Sequence, residues 1–386
     1  MSYDKKSFRL NNAIQSRRRF IKTGLMGLSG LGLLSALPSC STFDEFIFDD
    51  HTFLKDQVMI IGGGISGLYL AYKLRQIKTE FHLFEGSSLL GGRIRSHDGL
   101  DFGASLFNQT DDHLKKLSKE FNLKESSLSK SIFYFDGGAE QVTGALKEKI
   151  SGLMPYRSVR LQWKLVEIKK INEIYELVFE TPQGRRLLLV KKIALTIPPN
   201  QWSRVHGLLE LPEMKWTEGW LQNLAPENIF KMVTAVPSSQ IAAARLNRKI
   251  KTQFSTGTEN LSVVVKNLSN NLLGLEFELR GRQYIGKNGV LMKDIVLPDI
   301  VKMISLINET TKINFSAKNV ATDSFFNWSS VDLIRSAYFK NSDPFPLKSP
   351  SEFPNFQVLG DYSSLIKPHT VEGALLEAER VSSLFL

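Results

Sequence analysis

Within this 386-residue chain, the stretch that most limits the possible folds is Val58 to Gly67. Val58, Met59, Ile60 and Ile61 form a short unbroken apolar run, the pattern of a parallel strand buried on both faces. Gly62-Gly63-Gly64-Ile65-Ser66-Gly67 follows at once, and Leu68, Leu70, Ala71 and Leu74 continue at helical spacing. A second run, Phe81-His82-Leu83-Phe84, ends on Glu85. Strand, glycine turn, helix and strand make a βαβ opening. Gly62, Gly64 and Gly67 fall where a dinucleotide fingerprint needs glycine, for the tight turn, for backbone approach to a pyrophosphate and for close helix packing. Glu85 stands where a carboxylate accepts hydrogen bonds from ribose hydroxyls. The fingerprint alone does not separate NAD from FAD.

The net charge of +10 would point to nucleic acid if it were spread over the body. Much of it is not. Residues 1–39 carry Lys5, Lys6, Arg9, Arg17, Arg18, Arg19 and Lys22 against the single acid Asp4. No basic stripe remains beyond them, so no nucleic-acid partner is expected. Ser16-Arg17-Arg18-Arg19-Phe20-Ile21-Lys22, followed by an uncharged run to Pro38, resembles a twin-arginine export signal; the alternative is an amphipathic or buried helix. Leu37-Pro38-Ser39-Cys40 resembles a lipobox, which implies lipidation of Cys40, membrane attachment through the lipid and a periplasmic location. The alternative is a plain cleaved signal with an incidental cysteine. Cys40 is the only cysteine, so an intramolecular disulfide, a cysteine-based zinc site and a flavin tethered through a cysteine elsewhere are excluded; the histidines show no metal-ligand spacing.

The remaining chain reads as a polar and aromatic linker to about residue 56, then mixed strands and helices. Tyr175–Phe179 and Leu187–Val190 flank a turn at Pro182-Gln183-Gly184, and Ile193–Ile197 reads as another strand ending at Pro198-Pro199. A helix is expected over Pro298–Asn308, a strand over Val358–Asp361, and a closing helix over residues 371–385 with Val371, Ala374, Leu375, Ala378, Val381 and Phe385 on one face.

Phe84-Glu85-Gly86-Ser87-Ser88-Leu89-Leu90-Gly91-Gly92-Arg93 resembles the segment shared by FAD-dependent amine oxidases and their relatives. The resemblance continues through Asp101-Phe102-Gly103-Ala104-Ser105-Leu106, Gly137-Gly138, Leu165-Val166-Glu167-Ile168, Thr196-Ile197-Pro198-Pro199, Trp328 with Tyr338, Leu359-Gly360-Asp361 and Thr370-Val371-Glu372-Gly373-Ala374. It implies an α/β fold: a Rossmann-like FAD-binding domain drawn from 57–110, 137–200 and 340–386, with an interleaved, reduced α+β substrate domain from 111–136 and 201–339. It implies non-covalent FAD held by Gly62, Gly64, Ser66, Gly67, Glu85, Gly92, Arg93, Gly103, Ala104, Val166, Gly360, Asp361, Thr370 and Val371. Lys231 would assist flavin reactivity and Tyr338 would wall the substrate site.

Alternatives stay open at single positions. Lys231 could be an edge-strand lysine facing solvent, Trp328 and Tyr338 could be core aromatics, and the closing helix could simply seal the core. Thr370 stands where typical members place a second aromatic, and the stretch between Ala104 and Gly137 is short for the family. The expected function is an exported FAD-dependent oxidoreductase moving a hydride from a small-molecule substrate, such as an amine, to flavin N5, with oxygen or a quinone as acceptor. A desaturase or isomerase acting on a lipid-like substrate, and a flavin-bearing membrane partner without turnover, are the alternatives.

Overall fold

The computed structural model describes residues 52–151, 159–226, 229–237, 248–253, 260–268, 272–280, 301, 305, 325–327, 339–340 and 352–385. Cys40, the export segment, Trp328 and Tyr338 lie outside them, as does most of the Pro298–Asn308 helix, of which Val301 and Ser305 are helical. Among the described residues no helix is long and apolar enough to cross a membrane.

The opening unit is β1 (Thr52–Ile61), α1 (Ile65–Gln76) and β2 (Phe81–Glu85), with β1 and β2 parallel from Val58 opposite Phe81 to Ile61 opposite Phe84. The apolar run is continuous because both faces are covered. Val58 and Ile60 join the core beneath α1, while Met59 and Ile61 join the core containing Trp202 and Leu208. β8 (Val159–Leu161) flanks β2 in parallel. On the other side β11 (Gly184–Leu195) runs parallel to β1, and β19 (Phe356–Val358) parallel to β11; β9 (Lys164–Ile171) and β10 (Ile174–Thr181) complete the sheet as an antiparallel meander with β11.

Three boundaries differ from expectation. β1 begins at Thr52, inside the expected linker, because its pairing with β11 resumes after an irregularity between Leu54 and Val58, where Lys55, Asp56 and Gln57 break the apolar pattern. The strands expected at Leu187–Val190 and Ile193–Ile197 are one strand, continuous through Lys191 and Lys192, with β1 alongside both halves. The last strand stops at Val358, and Asp361–Ser363 turns as a short 3-10 helix.

A second sheet is antiparallel, in the order β14 (Arg248–Gln253), β15 (Asn260–Asn267), β16 (Leu272–Arg280), β13 (Ile229–Pro237), β17 (Phe325–Asn327). It meets the first body at the hairpin of β3 (Ser96–His97) and β4 (Leu100–Asp101), where Leu100 and Phe102 pack with Val233 and Leu268. Smaller elements fill the margins: β5 (Phe107–Asn108), β6 (Glu125–Ser127) and β7 (Ile132–Phe135) form one sheet, and β12 (Ala225–Pro226) pairs with β18 (Phe339–Lys340). Helices α2 (Asp112–Glu120), α3 (Glu140–Ser151) and α4 (Glu218–Gln222) precede the closing helix α5 (Val371–Ser382), whose Leu375, Ala378 and Val381 bury against the core that also holds α1.

Candidate active site

The glycine turn is set by its neighbours. Gly62 has φ +115°, and the Thr196 hydroxyl donates to the carbonyls of Ile61 (3.0 Å) and Gly62 (2.8 Å), fastening the turn to the end of β11. A side chain at Gly67 would place Cβ 2.1 Å from the Gly62 carbonyl, so α1 can lie this close to the strand only with glycine there. At Gly64 a Cβ would meet nothing within 4 Å, because the position opens onto a cavity.

Beyond β2, Glu85 accepts from the N–H groups of Gly63 (2.7 Å) and Ser87 (2.7 Å), and Gly91 N–H donates to the Gly63 carbonyl (2.8 Å). Arg95 ties this turn down by donating to the carbonyls of Leu90 and Leu89, and its burial lowers its pKa. The Arg93 guanidinium forms an ion pair with Asp361, joining the first crossover to the C-terminal segment. Asp361 in turn accepts at its carbonyl from His369 N–H (2.8 Å). Thr370 caps α5: its hydroxyl accepts from Gly373 N–H at 2.9 Å.

These pieces surround a single cavity of about 910 Å³. Of the expected cofactor residues, Gly62, Gly64, Ser66, Glu85, Gly92, Arg93, Ala104, Gly360, Asp361, Thr370 and Val371 line it. Gly67 lies behind the wall in its packing role. Gly103 is also behind it, its carbonyl taken by Lys231. Val166 does not line the cavity, and its carbonyl accepts from His206 N–H (2.9 Å); Lys164 and Leu165 are the lining residues of that strand.

Lys231 is buried, which removes the solvent-facing alternative, but it does not line the cavity. Its ammonium donates to the Gly103 carbonyl and to Ser105 Oγ (3.4 Å) and pairs with Glu278 at 3.3 Å. It therefore grips the segment whose Phe102 and Ala104 face the cavity. A second buried lysine, Lys266, grips the same segment two residues earlier through Asp101 at 2.5 Å, and also pairs with Glu276 of β16 at 2.7 Å. Burial alone would lower the Lys266 pKa; the two carboxylates outweigh it and the net shift is upward. Burial raises that of Glu276, whose Oε2 has no hydrogen-bond partner among the described residues.

Sequence reasoning did not single out Trp163, Gln201, Tyr362 or His369, all of which line the cavity. Tyr362 donates to the carbonyls of Leu359 and Ile197 and packs edge-on against Trp202, and burial raises its pKa. Gln201 Nε2 is buried without an acceptor among the described residues.

Residues 60–121 match the profile of the NAD(P)-binding Rossmann-like domain. Among solved structures, wild-type putrescine oxidase bound to putrescine superposes with a TM-score of 0.62 at 13% identity, covering 86% of this chain and 99% of that one. The cyclohexylamine oxidase of Brevibacterium oxydans IH-35A gives 0.61 at 12% identity, over 85% and 98%. This chain has the amine-oxidase fold. The same fold is seen in a protein assigned as a protoporphyrinogen oxidase from Exiguobacterium sp. 255-15, with a TM-score of 0.60 at 12% identity over 85% and 98%. In sequence, the chain is 32% identical over 94 residues to the FAD-dependent oxidoreductase pigF of Monascus ruber; the match takes in 23% of this chain and 20% of that protein.

The amine-oxidase fold and the lining residues fit a dinucleotide. The side-chain-free wall at Gly64, the φ of +57° at Gly92 beside it, the carboxylate at the end of β2, the N-terminal end of α5 and a Gln201 donor with no acceptor among the described residues would together suit one elongated ligand rich in oxygen.

Proposed function

We propose that the protein is an FAD-dependent oxidoreductase of the amine-oxidase type that holds FAD without a covalent bond. The reading rests on one observation: a single cavity joins the glycine turn, Glu85, the Gly92-Arg93 turn, Asp361 and the start of α5, residues far apart in sequence that each suit a different part of a dinucleotide. Bound FAD would supply hydride acceptance from a substrate carbon at N5.

The chain's own residues bind and orient. Glu85 accepts from ribose hydroxyls, the Gly64 and Gly92 backbones allow close approach, and Arg93 and Asp361 offer charge and acceptors further along. Thr370 and Val371 present the positive end of the α5 dipole to developing negative charge. Lys231 positions the 102–105 segment through Gly103 and Ser105 rather than from the cavity wall. Tyr338 is proposed as a substrate-site wall. The domain division, the small-molecule substrate of amine type, the oxygen or quinone acceptor, twin-arginine export and a lipid anchor on Cys40 in the periplasm belong to the same proposal.

The test is spectroscopic. The purified protein should be yellow, release FAD on denaturation, and bleach anaerobically with members of a panel of amines, amino acids and lipids. Bleaching by amines supports the amine reading. Bleaching by lipids alone favours the desaturase or isomerase alternative. A flavin that no substrate bleaches favours a non-catalytic partner, and a colourless chain that takes up no FAD would refute the proposal.

A further inference from the structure

Among the described residues, six other than glycine have positive φ: Lys78, Asp98, Asn122, Gln162, Asn172 and His369. Of these, His369 is the one that lines the cavity. Its φ of +59° places it immediately before the Thr370 cap of α5, with its backbone N–H fixed at 2.8 Å on the Asp361 carbonyl. A ring-bearing residue held in the left-handed region costs free energy that glycine would avoid. What the chain obtains is an imidazole on the cavity wall, between the helix start and the Arg93–Asp361 pair.

We propose that His369 is a cofactor-binding residue that takes up a proton when the anionic dinucleotide enters. The inference rests on the function proposed above and adds a residue and a proton to it. Among the described residues, the charged groups facing His369 are Asp361, which favours the imidazolium, and Arg93, which disfavours it. On neighbouring segments, Lys367 is paired to Asp111 at 2.7 Å, and Glu372 is turned to the start of α2, where it accepts from His113 Nδ1 at 2.9 Å. In the empty protein burial lowers the His369 pKa, and Arg93 acts in the same direction. A ligand with two phosphate charges engages Arg93 and presents anionic oxygens to the ring, so the bound state favours the cation. By linkage, binding then tightens as pH falls from the pKa of the complex towards that of the empty protein, by at most about tenfold per pH unit, and is level outside that window.

The full-length chain, stripped of flavin, is titrated with FAD across about pH 5.5 to 8.5, the range where histidine charge changes. The dissociation constant is followed by flavin fluorescence, and proton uptake by calorimetry in two buffers of different ionisation heat. The wild type should show an affinity that falls with rising pH, and a net uptake of up to one proton. His369→Asn, whose side chain tolerates the left-handed backbone, should keep the melting midpoint of the empty protein while losing both the pH slope and the uptake. Equal slopes in wild type and H369N, or a slope abolished by substitution of His97 instead, would overturn the proposal. If neither protein binds FAD, it is the cofactor assignment itself that fails, an outcome distinct from pH-independent binding.

Discussion

Replacing Lys266 by methionine leaves Asp101 and Glu276 facing one another in the interior with no cation between them. The expected loss is about 3–5 kcal/mol, read as a lower urea midpoint, because removing one partner of a buried ionic cluster exposes the others to the full cost of burial. Glu213 makes the complementary case for pH. Burial pushes its carboxyl up, but Lys170 at 2.5 Å and the Tyr175 hydroxyl at 2.7 Å outweigh this and the net shift is downward. A depressed carboxylate contributes stability above the pKa of the unfolded chain and loses it as pH falls through the folded value. Glu213→Gln should therefore flatten the fall in the urea midpoint between about pH 6 and about pH 3; an unchanged profile would remove Glu213 from the acid response. Lys231 was legible because it interrupts an apolar run. Lys266 was not, since a lysine after Val263-Val264-Val265 and before Asn267 reads as the solvated end of a strand. Its burial is decided by Asp101, a partner that no local pattern identifies.

Helix α5 illustrates how one element serves two others. Its Glu372 carboxylate accepts from the N–H groups of His113 (2.9 Å) and Leu114 (3.0 Å), so it caps α2 from outside that helix. Glu372→Gln should cost about 1–3 kcal/mol and raise amide exchange first in α2, with α5 less affected. Thr370→Ala removes the cap of α5 itself and should cost about 1 kcal/mol, detectable as a lower thermal midpoint. Among elements, the Val58–Ile61 half of β1 and most of β2 could be read from unbroken apolar runs, and α1 and α5 from apolar residues at helical spacing. The continuity of β11 could not be, since Lys191 and Lys192 look like a break until β1 is seen to run beside them. The hairpin at Pro182-Gln183-Gly184 was legible from its turn residues, and Thr181 does pair with Gly184.

At the scale of the molecule, binding of FAD to the cavity should stabilise the whole fold, since the lining residues extend from Ile61 to Ala374. With free FAD at a hundred times its dissociation constant, the gain is about 2.7 kcal/mol, measurable as a rise in the melting midpoint that is absent with an equal concentration of a non-binding nucleotide. The parallel core of the fold was foreseen from its first crossover and its last helix. The antiparallel second sheet was not resolved into strands, because the register of β13 against β16, Lys231 opposite Glu278 among its pairs, is fixed by contacts across a long connection rather than by a local signal.

The ion pair between Arg93 and Asp361 also carries a consequence for biosynthesis. The glycine turn leaves the ribosome early, yet the wall opposite it is made by residues near 360–374, translated hundreds of positions later. Until those residues are made, the nascent polypeptide holds only part of the binding surface, so a complete site for the prosthetic group exists only once the 360–374 segment has been translated. A polypeptide interrupted before Asp361 would leave Arg93 without its counter-ion and the first crossover without the lid of its own pocket.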